Sequence, residues 1–140
     1  MALNTINKTL NQLLDYSLGQ LELNLDSDVM SYTGPIVNGL ERDFLRYVEK
    51  LSEDENKRSQ LAVLLTTNGG SATAVERFVN ILRKHYQKVI FIIPDYAYSA
   101  GTIFAMSGDE IWMDYYSVLG PIDPQVTNKE GRFVPARVFG

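Results

Sequence analysis

The sequence predicts an α/β fold in which strands and helices alternate along the chain. Three observations carry this prediction. Leu61-Ala62-Val63-Leu64-Leu65 and Val89-Ile90-Phe91-Ile92-Ile93 are apolar at every position, as strands buried on both faces are. Between them Val75, Phe78, Val79, Leu82 and Tyr86 recur at helical spacing. Each apolar run stops at turn residues, Thr66-Thr67-Asn68-Gly69-Gly70 in the first case and Pro94 in the second.

Taken in order, Ile6, Leu10, Leu13, Leu14 and Leu18 behind Asn4 and Thr5 predict an amphipathic helix over 4–18, closed near Gly19. The alternation of Leu21, Leu23 and Leu25, then Val29 and Met30, predicts extended chain over 21–33, ending in the turn Gly34-Pro35. Leu40, Phe44, Leu45, Val48 and Leu51 mark a second helix, and the charged run 52–58 reads as a solvated loop. After the strand at 61–65, Thr73-Ala74-Val75-Glu76 offers a capping box for the next helix. The strand at 89–93 leads to a short helix of small residues from Ala100 to about Ser107. Two short strands follow, Glu110–Met113 and Ser117–Leu119, before Gly120-Pro121-Ile122-Asp123-Pro124. Nothing after Thr127 has a clear period.

The 140 residues suffice for one domain, 1–140, and leave no room for a second. Hydrophobic residues at 45% and charged ones at 21% are ordinary globular usage and argue against disorder. A net charge of -4 supplies no field for nucleic acid. Without cysteine and with His85 as the one histidine, disulfides, thiolate zinc sites and imidazole-rich metal sites are excluded. Asp26-Ser27-Asp28 opens like a calcium loop, but the required glycine and distal glutamate do not follow, so a solvated turn is expected. Apolar runs of five residues fall far short of the ~20 that a membrane helix needs, so a soluble, cytoplasmic protein with no integral membrane segment is expected.

In open α/β sheets ligands bind beyond the carboxyl ends of the strands, and two loops stand there. Gly69-Gly70 follows a buried strand and opens a helix, so its amides can approach a ligand unhindered and favour negative charge. The pair is half of an oxyanion hole, a tight strand-to-helix turn or a phosphate cradle; no Walker or G-x-G-x-x-G pattern accompanies it, which argues against nucleotide binding. Ser99 lies between a strand and a helix among Ala97, Ala100 and Gly101. That context exposes a hydroxyl beside the Ala100 N–H and suits a nucleophile, although a serine there can equally act as an N-cap.

The two loops together, with Tyr32-Thr33-Gly34-Pro35-Ile36, Thr67-Asn68-Gly69-Gly70-Ser71, Tyr98-Ser99-Ala100-Gly101-Thr102, Gly108-Asp109-Glu110-Ile111 and Leu119-Gly120-Pro121-Ile122-Asp123-Pro124-Gln125, carry a resemblance. The chain resembles the Clp protease and signal peptide peptidase A group of the crotonase-like superfamily, and most closely the serine dehydrogenase proteinase family. The resemblance implies a Clp/crotonase-like ββα spiral core and a serine peptidase acting on peptide or protein substrates without a cofactor. It matches Ser99 to the nucleophile and the Gly70 and Ala100 amides, beside Gly69, to the oxyanion hole. Relatives of this group assemble into rings or stacks, which implies a homo-oligomer.

A serine nucleophile needs a base, and the sequence offers no obvious one. In Clp proteases a histidine stands at about the separation from the serine where Asp123 stands here. With a reference pKa near 3.9, Asp123 is a weak base unless burial raises it, and between Ile122 and Pro124 it alternatively shapes a turn. His85 lies at the far end of a helix, and Lys129 reads as a loop charge. The family usually continues past this point, so a C-terminally truncated member is expected. Two other readings stand beside the peptidase: a catalytically silent oligomeric scaffold that lacks its base, and acyl-CoA chemistry with the same paired amides, which the serine loop disfavours.

Overall fold

A computed structural model describes the backbone of residues 2–122, 125–127 and 129–135 and the side chains of 4–122 and 129–132. The elements run α1 (Ala2–Leu25), β1 (Asp28–Thr33), α2 (Glu41–Ser52), β2 (Gln60–Thr66), α3 (Ala72–His85), β3 (Lys88–Ile93), β4 (Tyr96–Ala97), α4 (Ala100–Met106), β5 (Glu110–Met113), β6 (Val118–Leu119), β7 (Gln125–Thr127) and β8 (Phe133–Pro135). The predicted α/β alternation is present.

Four strands form one parallel sheet in the order β1-β2-β3-β5, in which Met30, Val63 and Phe91 lie in register and so do Val29, Ala62 and Ile90. A second, smaller layer of parallel pairing lies beyond the carboxyl ends. Thr67 bridges Ala97, Gly70 bridges Ile36, and β4 pairs with β6. Each turn of chain therefore supplies a long strand, a short continuation in the second layer and, for the first three turns, a helix. This is the ββα repeat of the expected spiral.

Because side chains alternate along a strand, the sheet has two apolar faces. Met30, Leu61, Val63, Leu65, Val89, Phe91 and Ile93 meet Phe44 and Val48 of α2, Val75, Phe78 and Leu82 of α3, and Phe104 of α4. Burying each such side chain is worth roughly 1.5–3 kcal/mol. Phe44 stacks on Phe78 with ring centroids 4.0 Å apart, and Phe104 meets Phe44, Phe78 and Phe91 edge-on, so α4 is braced by three other elements. On the opposite face Val29, Ala62 and Ile90 are covered by Leu18, Leu21 and Leu25 of α1.

Several details depart from expectation. Helix α1 does not close at Gly19 but runs on to Leu25, because Leu18, Leu21 and Leu25 also satisfy a helical period and that face has a sheet to cover. The alternation at 21, 23 and 25 is thus accidental, and the strand starts at Asp28. Helix α3 is capped by Ser71, whose hydroxyl accepts the Ala74 N–H at 3.1 Å, and not by the box at Thr73. Ser27 and Asp28 are buried and not a solvated turn, since Asp28 accepts hydrogen bonds from the Tyr86 hydroxyl at 2.7 Å and the Arg58 N–H at 3.2 Å. The stretch without a period past Thr127 contains β8, which pairs antiparallel with β7.

Candidate active site

Both loops singled out in the sequence lie in the second layer, and the structure brings them into contact. Gly69 is so close to the other loop that a Cβ built on it would lie 2.8 Å from Ser99 Cβ and 3.2 Å from Ala100 N. Its φ of 99° and the 145° of Gly70 are conformations that side-chain-bearing residues rarely adopt. Gly70 has no room either, because a Cβ there would sit 1.9 Å from Ile36 O.

The hydrogen bonds of the glycine loop leave one donor over. Gly69 N–H donates to Thr67 Oγ1 at 3.0 Å, Ile36 N–H donates to Gly69 O at 2.9 Å, and Ser71 N–H donates to Ile36 O at 2.8 Å. The Gly70 N–H shares a trans peptide with Gly69 O, so it points opposite to that carbonyl and away from Ile36. Among the described residues it has no acceptor. Of the two glycine amides, Gly69 is therefore engaged, and Gly70 is free among the described residues.

Ser99 precedes α4 with φ 54° and ψ -121°, one of two non-glycine residues at positive φ among those described. Such a conformation costs about 1–3 kcal/mol and persists only where its surroundings impose it. Its carbonyl accepts the N–H of Thr102 at 3.0 Å, which turns the Ala100 N–H of the same peptide the opposite way, out of the helix mouth and without an acceptor among the described residues. The Ser99 hydroxyl makes no capping bond and has no partner among the described residues. The N-cap alternative thus has no hydrogen bond in its favour. The site as built is a half-buried, strained serine with two backbone donors, unpaired among the described residues, on the loops that meet at it.

The base candidates are not gathered in the same way. Asp123 lies outside the described residues. Lys129 is exposed in the turn between β7 and β8. His85 ends α3, whose start adjoins Gly70, and 14 residues at about 1.5 Å each carry it roughly 20 Å along the axis. Sequence reasoning passed over Thr67, Ile36 and Thr102. Thr102 Oγ1 lies 2.9 Å from Ala97 O and 3.0 Å from Gly120 O, joining α4 to the segment after β6. A threonine two residues before a glycine is a known local-turn pattern and was the available signal for Thr67. A recess of about 190 Å³ at Met30, Tyr32, Leu40, Phe44 and Tyr47 does not include Ser99.

A parallel sheet whose strands each continue into a short second strand and then a helix defines the ClpP-like class of fold. The profile of ClpP-like SDH-type serine proteinases matches residues 41–135, and the chain belongs to that family. Two uncharacterized proteins of Methanocaldococcus jannaschii are 38% identical over 84 residues and 37% identical over 70, covering 60% and 50% of this chain. The matches span only 27% and 24% of those relatives' lengths.

Among solved structures, a membrane-bound stomatin-specific protease is similar in two forms, both with a TM-score of 0.63 and 78% of this chain covered. A serine-to-alanine variant is 24% identical with 54% of its chain covered, and a lysine-to-alanine variant in complex with a substrate peptide is 26% identical with 51% covered. The ClpP catalytic domain of Plasmodium falciparum, at 12% identity and a TM-score of 0.50 over 60% of this chain and 53% of that one, shares the fold. No described helix is long and apolar enough to cross a membrane.

Proposed function

We propose that the chain carries a serine peptidase site that cleaves peptide bonds through an acyl-enzyme on Ser99. The observation that carries this reading is the pairing of a strained serine with two backbone N–H groups that have no acceptor among the described residues. Ser99 Oγ attacks the carbonyl carbon of a peptide bond and gives up its proton to a base. The carbonyl oxygen becomes an anion, which Gly70 N–H and Ala100 N–H stabilise. Collapse expels the amine, which takes the proton, and water then attacks the ester to release the acid and restore the serine. Losing one such donor typically costs about 3 kcal/mol of transition-state stabilisation. Gly69 contributes by its close approach, since its own amide is taken by Thr67.

Asp123 is proposed as the base by position alone. Peptide is the favoured substrate because a structural neighbour was captured with a substrate peptide. A cytoplasmic location and a homo-oligomeric state belong to the same reading. Ile6, Leu10, Leu13 and Leu14 on α1 are each more than half exposed and offer a surface to bury, and a monomeric mass in light scattering at micromolar concentration would refute self-association. The second reading, a silent scaffold, is favoured by one observation: no described residue hydrogen-bonds the Ser99 hydroxyl. Intact mass after treatment with a fluorophosphonate probe separates the two. A single adduct that Ser99→Ala abolishes supports the peptidase, whereas a folded protein that takes up no probe supports the scaffold.

A further inference from the structure

We propose that Thr67 is the positioning residue of the oxyanion site, setting the direction of the Gly70 N–H through its hydroxyl. The proposal rests on the peptidase reading for its catalytic consequence. Thr67 is fully buried at the crossing of the two loops and contacts both of them through different atoms. Its backbone receives on one side and donates on the other: Tyr98 N–H donates to Thr67 O at 3.0 Å and Thr67 N–H donates to Tyr96 O at 3.3 Å. These bonds fix the chain immediately before Ser99. Its methyl group packs against the first turn of α4, where a Cβ on Gly101 would lie 2.2 Å from Thr67 Cγ2. Its hydroxyl oxygen holds the Gly69 N–H.

The hydroxyl matters because the glycine pair cannot hold its own direction. Two successive residues without side chains at φ 99° and 145° have many alternative conformations, and a rotation of the Gly69–Gly70 peptide would turn the Gly70 N–H out of the direction that the bond from Ile36 N–H to Gly69 O gives it. Two clamps prevent that. Ile36 N–H grips the carbonyl of this peptide, and Thr67 Oγ1 grips the N–H of the peptide before it. The Ile36 clamp is backbone and belongs to the fold. The Thr67 clamp is a side chain, and it sits on the residue that also fixes Tyr98 and touches Gly101. One residue thus touches both of the loops that carry the two donors.

The test compares Thr67→Val, which keeps the branched shape and removes the hydroxyl, with Thr67→Ser, which keeps the hydroxyl. Labelling by a fluorophosphonate probe is followed as a function of probe concentration on the full chain. Thr67→Val is expected to lower the limiting labelling rate about 10- to 100-fold, part or all of the effect of losing one oxyanion donor, with the half-saturating concentration within about twofold. Thr67→Ser is expected to restore most of the rate. Labelling of the Thr67→Val protein at the wild-type rate, or equal slowing in both variants, would overturn the proposal.

Amide exchange and chemical shifts of Gly69, Gly70 and Ala100 supply a readout independent of activity. Gly69 is expected to be protected in the wild type and in Thr67→Ser and released in Thr67→Val, with the Gly70 resonance moving alongside it. An unprotected Gly69 amide in the wild type overturns the latch even if Thr67→Val fails to fold. If the wild type takes up no probe, the peptidase reading falls, and the Gly69 and Gly70 amides alone decide whether Thr67 holds this loop.

Discussion

Gly69 lies against Ser99 with no space for a side chain: a Cβ on it would stand 2.8 Å from Ser99 Cβ and 2.5 Å from Tyr98 O. The contact joins the strand-to-helix loop after β2 to the one before α4, and the backbone atom at risk of a clash is rigid. Gly69→Ala must therefore push the two loops apart, and it also places a side chain at a φ of 99°. We expect a loss of more than about 2 kcal/mol in urea unfolding. An unchanged midpoint would mean that the loops are not in contact in solution.

Strain at Ser99 gives a second prediction, this time of a gain. Glycine adopts positive φ without a Cβ penalty, whereas alanine meets the same obstruction as serine. Ser99→Gly should therefore be more stable than Ser99→Ala by about 1 kcal/mol, despite the extra entropy that glycine loses on folding. Both variants lack the hydroxyl and should be inert to a fluorophosphonate. Equal unfolding midpoints for the two would remove the argument that the fold imposes an unfavourable geometry on this residue.

The buried strands were legible because β2 and β3 are covered on both faces and show it as unbroken apolar runs. Helix α1 was harder, since Leu18, Leu21 and Leu25 fit a helix while Leu21, Leu23 and Leu25 fit a strand, and Gly19 looks like a stop. The choice between them is made by the sheet face at Val29, Ala62 and Ile90, which no local pattern announces. At the site, the glycines and Ser99 were legible from residue type and order. That the Gly70 amide finds no acceptor among the described residues was not, because its direction depends on the hydrogen bond that Ile36 N–H donates to Gly69 O from far along the chain. A Cβ on Gly19 meets nothing within 4 Å, so in a helix that runs through it Gly19→Ala should stabilise the protein by about 0.5–1 kcal/mol. If the helix instead closed there with glycine as its terminating residue, the same change would be destabilising, and thermal unfolding tells the two apart.

The bond from the Tyr86 hydroxyl to Asp28 Oδ2 at 2.7 Å links the residue that follows α3 to the first residue of β1, with both groups buried. Burial, then the hydrogen bond to Asp28 and its charge, push the Tyr86 hydroxyl well above the ordinary tyrosine range. In the unfolded chain the same hydroxyl ionises near pH 10. A group that loses its proton more readily when unfolded contributes stability that is fully present below pH 10 and is lost as pH rises beyond it. Tyr86→Phe removes the donor and leaves a buried carboxylate with one partner fewer, at a cost of about 1.5–3 kcal/mol near neutral pH, the range for a hydrogen bond to a charged group. It should also flatten the alkaline limb of the stability curve, because the substituted side chain no longer titrates. Urea unfolding of wild type and Tyr86→Phe between neutrality and pH 11 measures both effects, and parallel alkaline limbs would show that Tyr86 is free to ionise in the folded protein.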